Sequence, residues 1–298
     1  MSDSIGTTLL RRHIGRWLVK LRVKAGYTQE AAADALQRGA ATIWRMEAGD
    51  SRIRFRDIEV SAMCDLYRVD PATRERLLAL TSDTRGSKKA WWHDYTDSAL
   101  PQWFGLYVSL EDSAAMIRKY EQESIPGLLQ TQAYAEAITR HPREYIDEDG
   151  IAKRVGVRME RQSLLTGPRP PRLRFILNES VLHRAVGGRR AMAEQLRHLL
   201  DATERHGISV RVLPFESGAH GGMNSSFAIL SFPTAPLDDE PMEPPLAYVD
   251  TLTGALYLSK PSEVRAYELA WDDLESQALD ESTSRKLITS TLEALTRG

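Results

Sequence analysis

Apolar positions recur at helical spacing through the first quarter of the chain and in short strand-like runs further on. In "LLRRHIGRWLVKLRVKAG", Leu10, Ile14, Trp17, Leu18 and Leu21 fall at i, i+4, i+7, i+8 and i+11, one stripe of a helix. Gly26 predicts its end as a C′ glycine. Thr28 predicts the N-cap of a second helix, "QEAAADAL". A third follows in "TIWRMEAG" and a fourth over 58–67. "VDPATRERLLALT" gives a fifth, with Asp70 as N-cap and Pro71 at N1. Strand-like runs appear only later, at 173–177, 208–215, 226–232, 246–251 and 255–259. Helical patterns surround them at about 110–116, 131–140, 147–165, 189–206, 261–279 and 282–296.

The change of texture predicts two domains. "SDTRGSKK" (82–89) is polar and reads as the linker between a helical unit, 1–81, and an α+β unit, 90–298, whose strands are expected to pair antiparallel. "FPTAPLDDEPMEPPL" (232–246), rich in proline and acid, reads as an exposed loop between two strands. A chain of 298 residues has room for two cores of ordinary size.

Composition narrows the class. The 42% hydrophobic and 27% charged content fits a globular protein, and no apolar run approaches the roughly 18 residues of a membrane helix. The N-terminus lacks the order of a signal peptide. Cys64 is the single cysteine, which leaves no intrachain disulfide and no cysteine metal cluster. A cytoplasmic protein that contacts no membrane is expected. The net charge of −2 is unevenly spread: residues 1–89 hold 17 Lys/Arg against 11 Asp/Glu, and the rest hold 22 against 30. A basic N-terminal third on an acidic body suits a polyanion partner for that third alone; chance surface charge would look the same.

Chemistry then attaches to "YTQEAAADALQRGAATIWRMEAGD" (27–50). Ala32, Ala33 and Leu36 make one face of the second helix, and Ile43 and Met46 one face of the third. Small Ala32 and Ala33 allow close backbone approach, and Gly39 is free to take the angles of a turn or cap. Arg38, Ala40, Ala41, Thr42 and Arg45 are left pointing outward. Small leading residues let a helix sit deep in the major groove, with Thr42 against a thymine methyl and Arg45 forked onto guanine. The alternating Arg52, Arg54 and Arg56 are placed for phosphates. Gln29 is placed for a phosphate or to brace the third helix. Arg22 and Glu47 are positioned for an ion pair, which at a surface is worth about 0–1 kcal/mol. A bare helical hairpin used only for packing is the plainer alternative.

The ordered set "AGYTQEAAADAL…TIWRMEAG" resembles XRE-type (λ-repressor-like) helix-turn-helix regulators, with "G-x-T-Q-x-x-A-A" and "I-x-R-x-E-x-G" at this separation. The resemblance implies double-stranded DNA as partner, a homodimer, and Thr28, Gln29, Ala40, Ala41, Thr42 and Arg45 facing DNA. The alanines of "QRGAAT" and the bulky Trp44 depart from the usual pattern and leave the target sequence open.

The C-terminal two-thirds carry no G-x-S-x-G, H-E-x-x-H, Walker loop or G-x-G-x-x-G. No catalytic residue, metal ligand or cofactor is nominated, and an enzyme is disfavoured. Candidates for a ligand or partner site are Trp91, Trp92 and Tyr95 after the linker, Glu121 (with Glu123 on one strand face), and His220 and Asn224 in the loop "FESGAHGGMNSSF". For each, ordinary packing or solvation is the default. "SIPGLLQTQAYAEAI", "RVGVRMERQSLLT", "FILNESVLHRAVGG" and "ISVRVLPFESGAHGGMNSSFAILSF" with "YVDTLTGALYLS" resemble, in that order, a large actinobacterial family of antitoxin-like regulators. Its members pair an XRE-type domain with a C-terminal domain of unassigned function. The resemblance implies a transcriptional regulator whose C-terminal domain senses a small-molecule effector or holds a small partner protein encoded nearby. An antitoxin-type interaction protein that autoregulates is the alternative.

Overall fold

The computed structural model describes residues 7–50, 52–86, 102–140, 147–234 and 241–297. Chain contacts divide the molecule into two units: Met1–Ala90 with Phe232–Pro244, and Trp91–Ser231 with Pro245–Gly298.

In the first unit the helical stripe folds as its spacing predicts. The helices are α1 (Thr7–Lys24), α2 (Gln29–Ala35), α3 (Ala40–Glu47), α4 (Asp57–Leu66) and α5 (Pro71–Gly86). Leu10, Ile14 and Leu18 are buried, as are Ala32, Ala33, Ile43, Met46 and Phe55. α1 packs on α3 and α5, α2 on α3, and α4 on α5. The caps are those of the sequence: Thr28 accepts from the amide of Ala31 and Asp70 from that of Thr73.

The last helix runs further than the sequence suggested, because Ser82–Gly86, read as part of the linker, are the last turn of α5. Thr81 and Thr84 are buried and return their hydroxyls to the carbonyls of Leu77 and Thr81, while Arg85 pairs with Asp57 at 2.6 Å. A partner on α4 thus carries the helix through a stretch whose composition suggested a linker.

A second correction concerns 232–246. Phe232, Met242 and Glu243 are buried, so this stretch is not an exposed loop throughout. The Glu243 carboxylate receives Arg12 Nε at 2.8 Å and also pairs with Arg16. His13 Nδ1 donates to the Met242 carbonyl at 3.1 Å. A buried carboxylate is tolerable only when paired in this way.

The second unit is built on one six-stranded sheet of β1 (Met116–Glu121), β2 (Arg172–Asn178), β3 (Ile208–Leu213), β4 (Phe227–Ser231), β5 (Leu246–Asp250) and β6 (Ala255–Leu258), ordered β3-β2-β1-β4-β5-β6. The helices α6 (Gln102–Asp112), α7 (Gln132–Thr139), α8 (Glu148–Glu160), α9 (Ser180–His183), α10 (Gly188–Ala202), α11 (Pro261–Gln277) and α12 (Glu281–Arg297) accompany it. The sheet is mixed rather than antiparallel: β1, β2 and β3 run parallel, and β4, β5 and β6 antiparallel. The reason is connection length, since α7 and α8 cross from β1 to β2, and α9 and α10 from β2 to β3, and only such long crossovers return a strand parallel.

One sheet face carries Tyr120, Ile176, Ile229 and Val249 against Trp271 and Leu274 of α11. Residues 113–115, expected to be helical, lead from α6 into β1, which begins at Met116. Among the described residues no helix is long and apolar enough to cross a membrane.

Candidate nucleic-acid interface

α2 and α3 form the two arms of a helix-turn-helix. Gly39 is the N-cap of α3, extended at φ −71°, which is the cap role of the two expected, whereas the left-handed residue of the turn is Gln37 at φ 53°. Glycine was the obvious residue for that conformation, but its position in the turn is two residues late.

α3 divides cleanly by burial. Ile43, Met46 and Glu47 face inward, and Ala40, Ala41, Trp44, Arg45 and Ala48 are exposed. Thr42, at the edge between the faces, is half-buried. Trp44, a departure from the familiar pattern, is 54% exposed on the outward face, one position from Arg45.

Glu47 fixes the orientation of that face. Its carboxylate accepts from Arg22 Nε at 2.5 Å and Nη2 at 3.0 Å, and from Gln29 Nε2 at 2.6 Å. Arg22 Nη1 also donates to the Tyr27 carbonyl at 2.8 Å. The Arg22–Glu47 pair is therefore buried, not a surface bridge, and its hydrogen bonds to Glu47 raise the guanidinium's already high pKa. Gln29 takes the bracing role of the two the sequence allowed, tying α2 to α3.

Ala32 and Ala33 are buried at the packing of α2 on α3, and close approach of α1 to α3 and the residue after it rests on two glycines. A Cβ at Gly15 would lie 2.4 Å from the Glu47 carbonyl oxygen, and one at Gly49 2.7 Å from Cα of Arg12. Gly49 also has φ +66°. A glycine in the middle of α1 costs about 1 kcal/mol of helix propensity, and that cost was a signal in the sequence that a backbone passes there.

The arginines separate into two groups. Arg38 pairs with Glu59 at 3.2 Å, and Arg52 folds back on Asp50 at 2.6 Å. Hydrogen bonds from Arg52 hold the Asp50 carboxyl down at about 2. Arg45, Arg54 and Arg56 are exposed and make no ion pair with any described residue. Their charge is available to a polyanion.

In the second unit, Trp91, Trp92 and Tyr95 lie outside the described residues. Glu121 is buried at the end of β1, beside Lys119 at 2.9 Å, rather than solvated, and Glu123 lies beyond the strand. His220 sits edge-on to Tyr120 at 5.7 Å with burial lowering its pKa, and Asn224 is exposed. Gly221 and Gly222 of their loop serve packing, since a Cβ at Gly222 would come 2.4 Å from the Tyr120 ring and one at Gly221 3.0 Å from Ala270 Cα. Glu121 lines a cavity that neither His220 nor Asn224 reaches; Arg158, Arg161, Tyr107 and Tyr248 line it too, and nothing local in the sequence distinguished them.

Two family models match the chain: a helix-turn-helix domain over residues 13–77 and a domain of unknown function over residues 104–290. No curated protein and no solved structure matches. The first match runs from within α1 to the middle of α5, and supports a DNA-binding regulator. The second covers well over half of the chain, which thus belongs to the family of the domain of unknown function DUF5753, joined to a helix-turn-helix domain.

Proposed function

We propose that this protein is a sequence-specific transcriptional regulator of XRE type, acting as a homodimer that lays α3 of each copy in the major groove of double-stranded DNA. The observation that carries the reading is the outward face of α3. It presents Ala40, Ala41, Trp44 and Arg45 beside the unpaired Arg54 and Arg56, while Glu47 locks the opposite face. The small residues lead into the groove, Arg45 forks onto a guanine, and Trp44 packs against neighbouring sugar or methyl groups. Arg54 and Arg56 neutralise phosphates, and a two-fold dimer reads half-sites about 34–36 Å apart. The DUF5753 unit supplies the signal by taking up an effector or partner.

Selection of genomic fragments on the purified chain, followed by anisotropy titrations over a range of salt, tests this. Arg45→Ala is expected to cost about 1–3 kcal/mol on the selected site and little on random DNA. Arg54→Ala is expected to weaken both alike and lower the salt slope by about 1. Equal losses on all DNA for Arg45→Ala would remove α3 from the groove.

A further inference from the structure

The strand order of the second unit reverses at β1, with β2 and β3 on one side and β4, β5 and β6 on the other. Crevices at the carboxyl ends of strands, where the order reverses, are favoured ligand sites in open sheets with parallel strands. A cavity of about 290 Å³ lies at this place, lined by β1, β4 and β5, by the turn after β1, and by α6 and α8. Its volume is at the small end for ligand sites.

Sheet register builds the floor. Lys119 pairs across to Ala228, and Ala228 to Tyr248, so a methyl group stands between two long side chains and leaves a hollow. Two residues further along, Glu121 and Asp250 project from the same face. Glu123 and Asp250 are exposed, and they mark a rim open to solvent.

The charges lining the hollow balance in number, Lys119, Arg158 and Arg161 against Glu121, Glu123 and Asp250, but they are not all paired. Lys119 is taken by Glu121 at 2.9 Å. Arg161 is held by Glu111 through two hydrogen bonds of 3.0 and 2.9 Å, and lies 4.8 Å from the Phe104 ring centre. Glu123 pairs with Arg184. Arg158 has no carboxylate within ion-pair distance among the described residues; its guanidinium donates to the neutral Gln130 amide oxygen at 2.8 Å. Burial and the nearby Arg161 lower its pKa to about 10, against the opposing pull of Glu121 and Asp250 from beyond ion-pair distance. Partial burial pushes the Asp250 carboxyl up, while Lys119 and the Tyr248 hydroxyl act to hold it down.

Two hydroxyls add to this. Tyr107 and Tyr248 are 1% and 3% exposed, their ring centres 4.1 Å apart, and neither hydroxyl completes a hydrogen bond of proper geometry, although the Glu111 and Asp250 carboxylates act on them from nearby. A buried unpaired hydroxyl costs about 1–3 kcal/mol. Two of them lining one cavity, beside an arginine lacking a counter-ion, are what a polar ligand would satisfy.

We infer that this cavity is a binding site for a small organic carboxylate, held by Arg158 through its acid group and by Tyr107, Tyr248 and Asp250 through a hydroxyl or ammonium at its other end. The inference gives a chemical class to the effector of the proposed regulator. It is tested without DNA, so its failure would leave the DNA-binding reading intact.

The experiment is saturation-transfer NMR on the full chain with 4-hydroxybenzoate, L-phenylalanine, 4-hydroxybenzamide and phenyl phosphate as separate probes. At least one of the two carboxylates is expected to bind, with 4-hydroxybenzamide at least tenfold weaker than 4-hydroxybenzoate where the latter binds. Arg158→Gln is expected to abolish carboxylate binding, and Lys153→Gln, an exposed position on α8, to leave it unchanged. Tyr248→Phe removes only an oxygen without a hydrogen bond. It is expected to melt at or above the wild type while binding carboxylate three- to tenfold more weakly. That keeps the inference testable even if Arg158→Gln misfolds. Absence of binding by both carboxylates, acid and amide binding alike, indifference to Tyr248→Phe, or tenfold preference for phenyl phosphate would each overturn it.

Discussion

At the residue scale, the candidate DNA surface depends on a few groups whose neighbours decide their role. Arg52 has the spacing of a phosphate contact, yet its guanidinium is spent on Asp50. Releasing it should change both stability and binding. The Asp50 carboxyl is depressed in the folded state from 3.8 to about 2. The stabilisation it supplies is therefore complete above pH 4 and lost as pH falls from about 4 to about 2. Asp50→Asn is expected to flatten that part of the stability–pH profile in urea titrations. It is also expected to steepen the salt dependence of DNA binding by up to about 1, because one more arginine is freed for a phosphate. An unchanged acid limb would show that Asp50 carries no such linkage.

Glycines behave by position in the same way. Gly26 and Gly49 are both left-handed, at φ +78° and +66°, but a Cβ at Gly26 meets nothing while one at Gly49 strikes the α1 backbone. Gly26→Ala is expected to cost about 1–2 kcal/mol of backbone strain alone. Gly49→Ala should cost a further ~1–3 kcal/mol for the collision. Chemical denaturation of the two variants compares them, and equal losses would mean that α1 moves away freely.

At the scale of elements, the helices and their caps were legible because each is written in contiguous residues. Thr28 before α2, and Asp70 with Pro71 at α5, were read correctly from spacing and capping chemistry. The left-handed residue of the turn was not, since a glycine two residues away satisfied the same expectation as Gln37, and only the backbone path tells them apart. Gln37→Gly should relieve the left-handed strain and raise stability by about 0.5–1 kcal/mol, read as a shift of the urea midpoint. A loss of stability would mean that the Gln37 side chain repays its strain. The sheet shows the same division. Strands β2 to β6 stand out as apolar runs, but their direction depends on which elements cross between them, and that is not a local property. β1 read as strand-like only from Lys119 on, because Arg118, Lys119 and Glu121 put charge in the middle of a sheet where apolar residues are usual.

At the scale of the whole molecule, sequence distance conceals the partners of the first unit. Glu243 lies more than two hundred residues after Arg12 and Arg16, yet it is buried against them. Removing it leaves two arginines without their anion and a hole beside α1. Glu243→Ala is expected to destabilise the first unit by about 3–5 kcal/mol, the cost of breaking a buried pair, with partial exposure of both arginines holding it to the lower end. An isolated 1–90 fragment should melt well below the first unit of the full chain in calorimetry, and equal melting would show that the 232–244 segment adds nothing.

What the sequence determined by itself is what periodicity and local chemistry encode. The five helices of the first unit, the outward residues of α3, the Arg22–Glu47 pairing and the α+β texture of the rest all follow from residues near one another in the chain. Tertiary structure alone decided that Gln29 braces α3 through Glu47, that Gly15 and Gly49 let two backbones touch, and that the sheet is mixed. It also decided that Arg158, Tyr107, Tyr248 and Asp250 share a cavity. The physical reason is common to all of these. Burial and pairing are properties of three-dimensional neighbours, and a polar side chain's role is set by which partner reaches it first when water is removed.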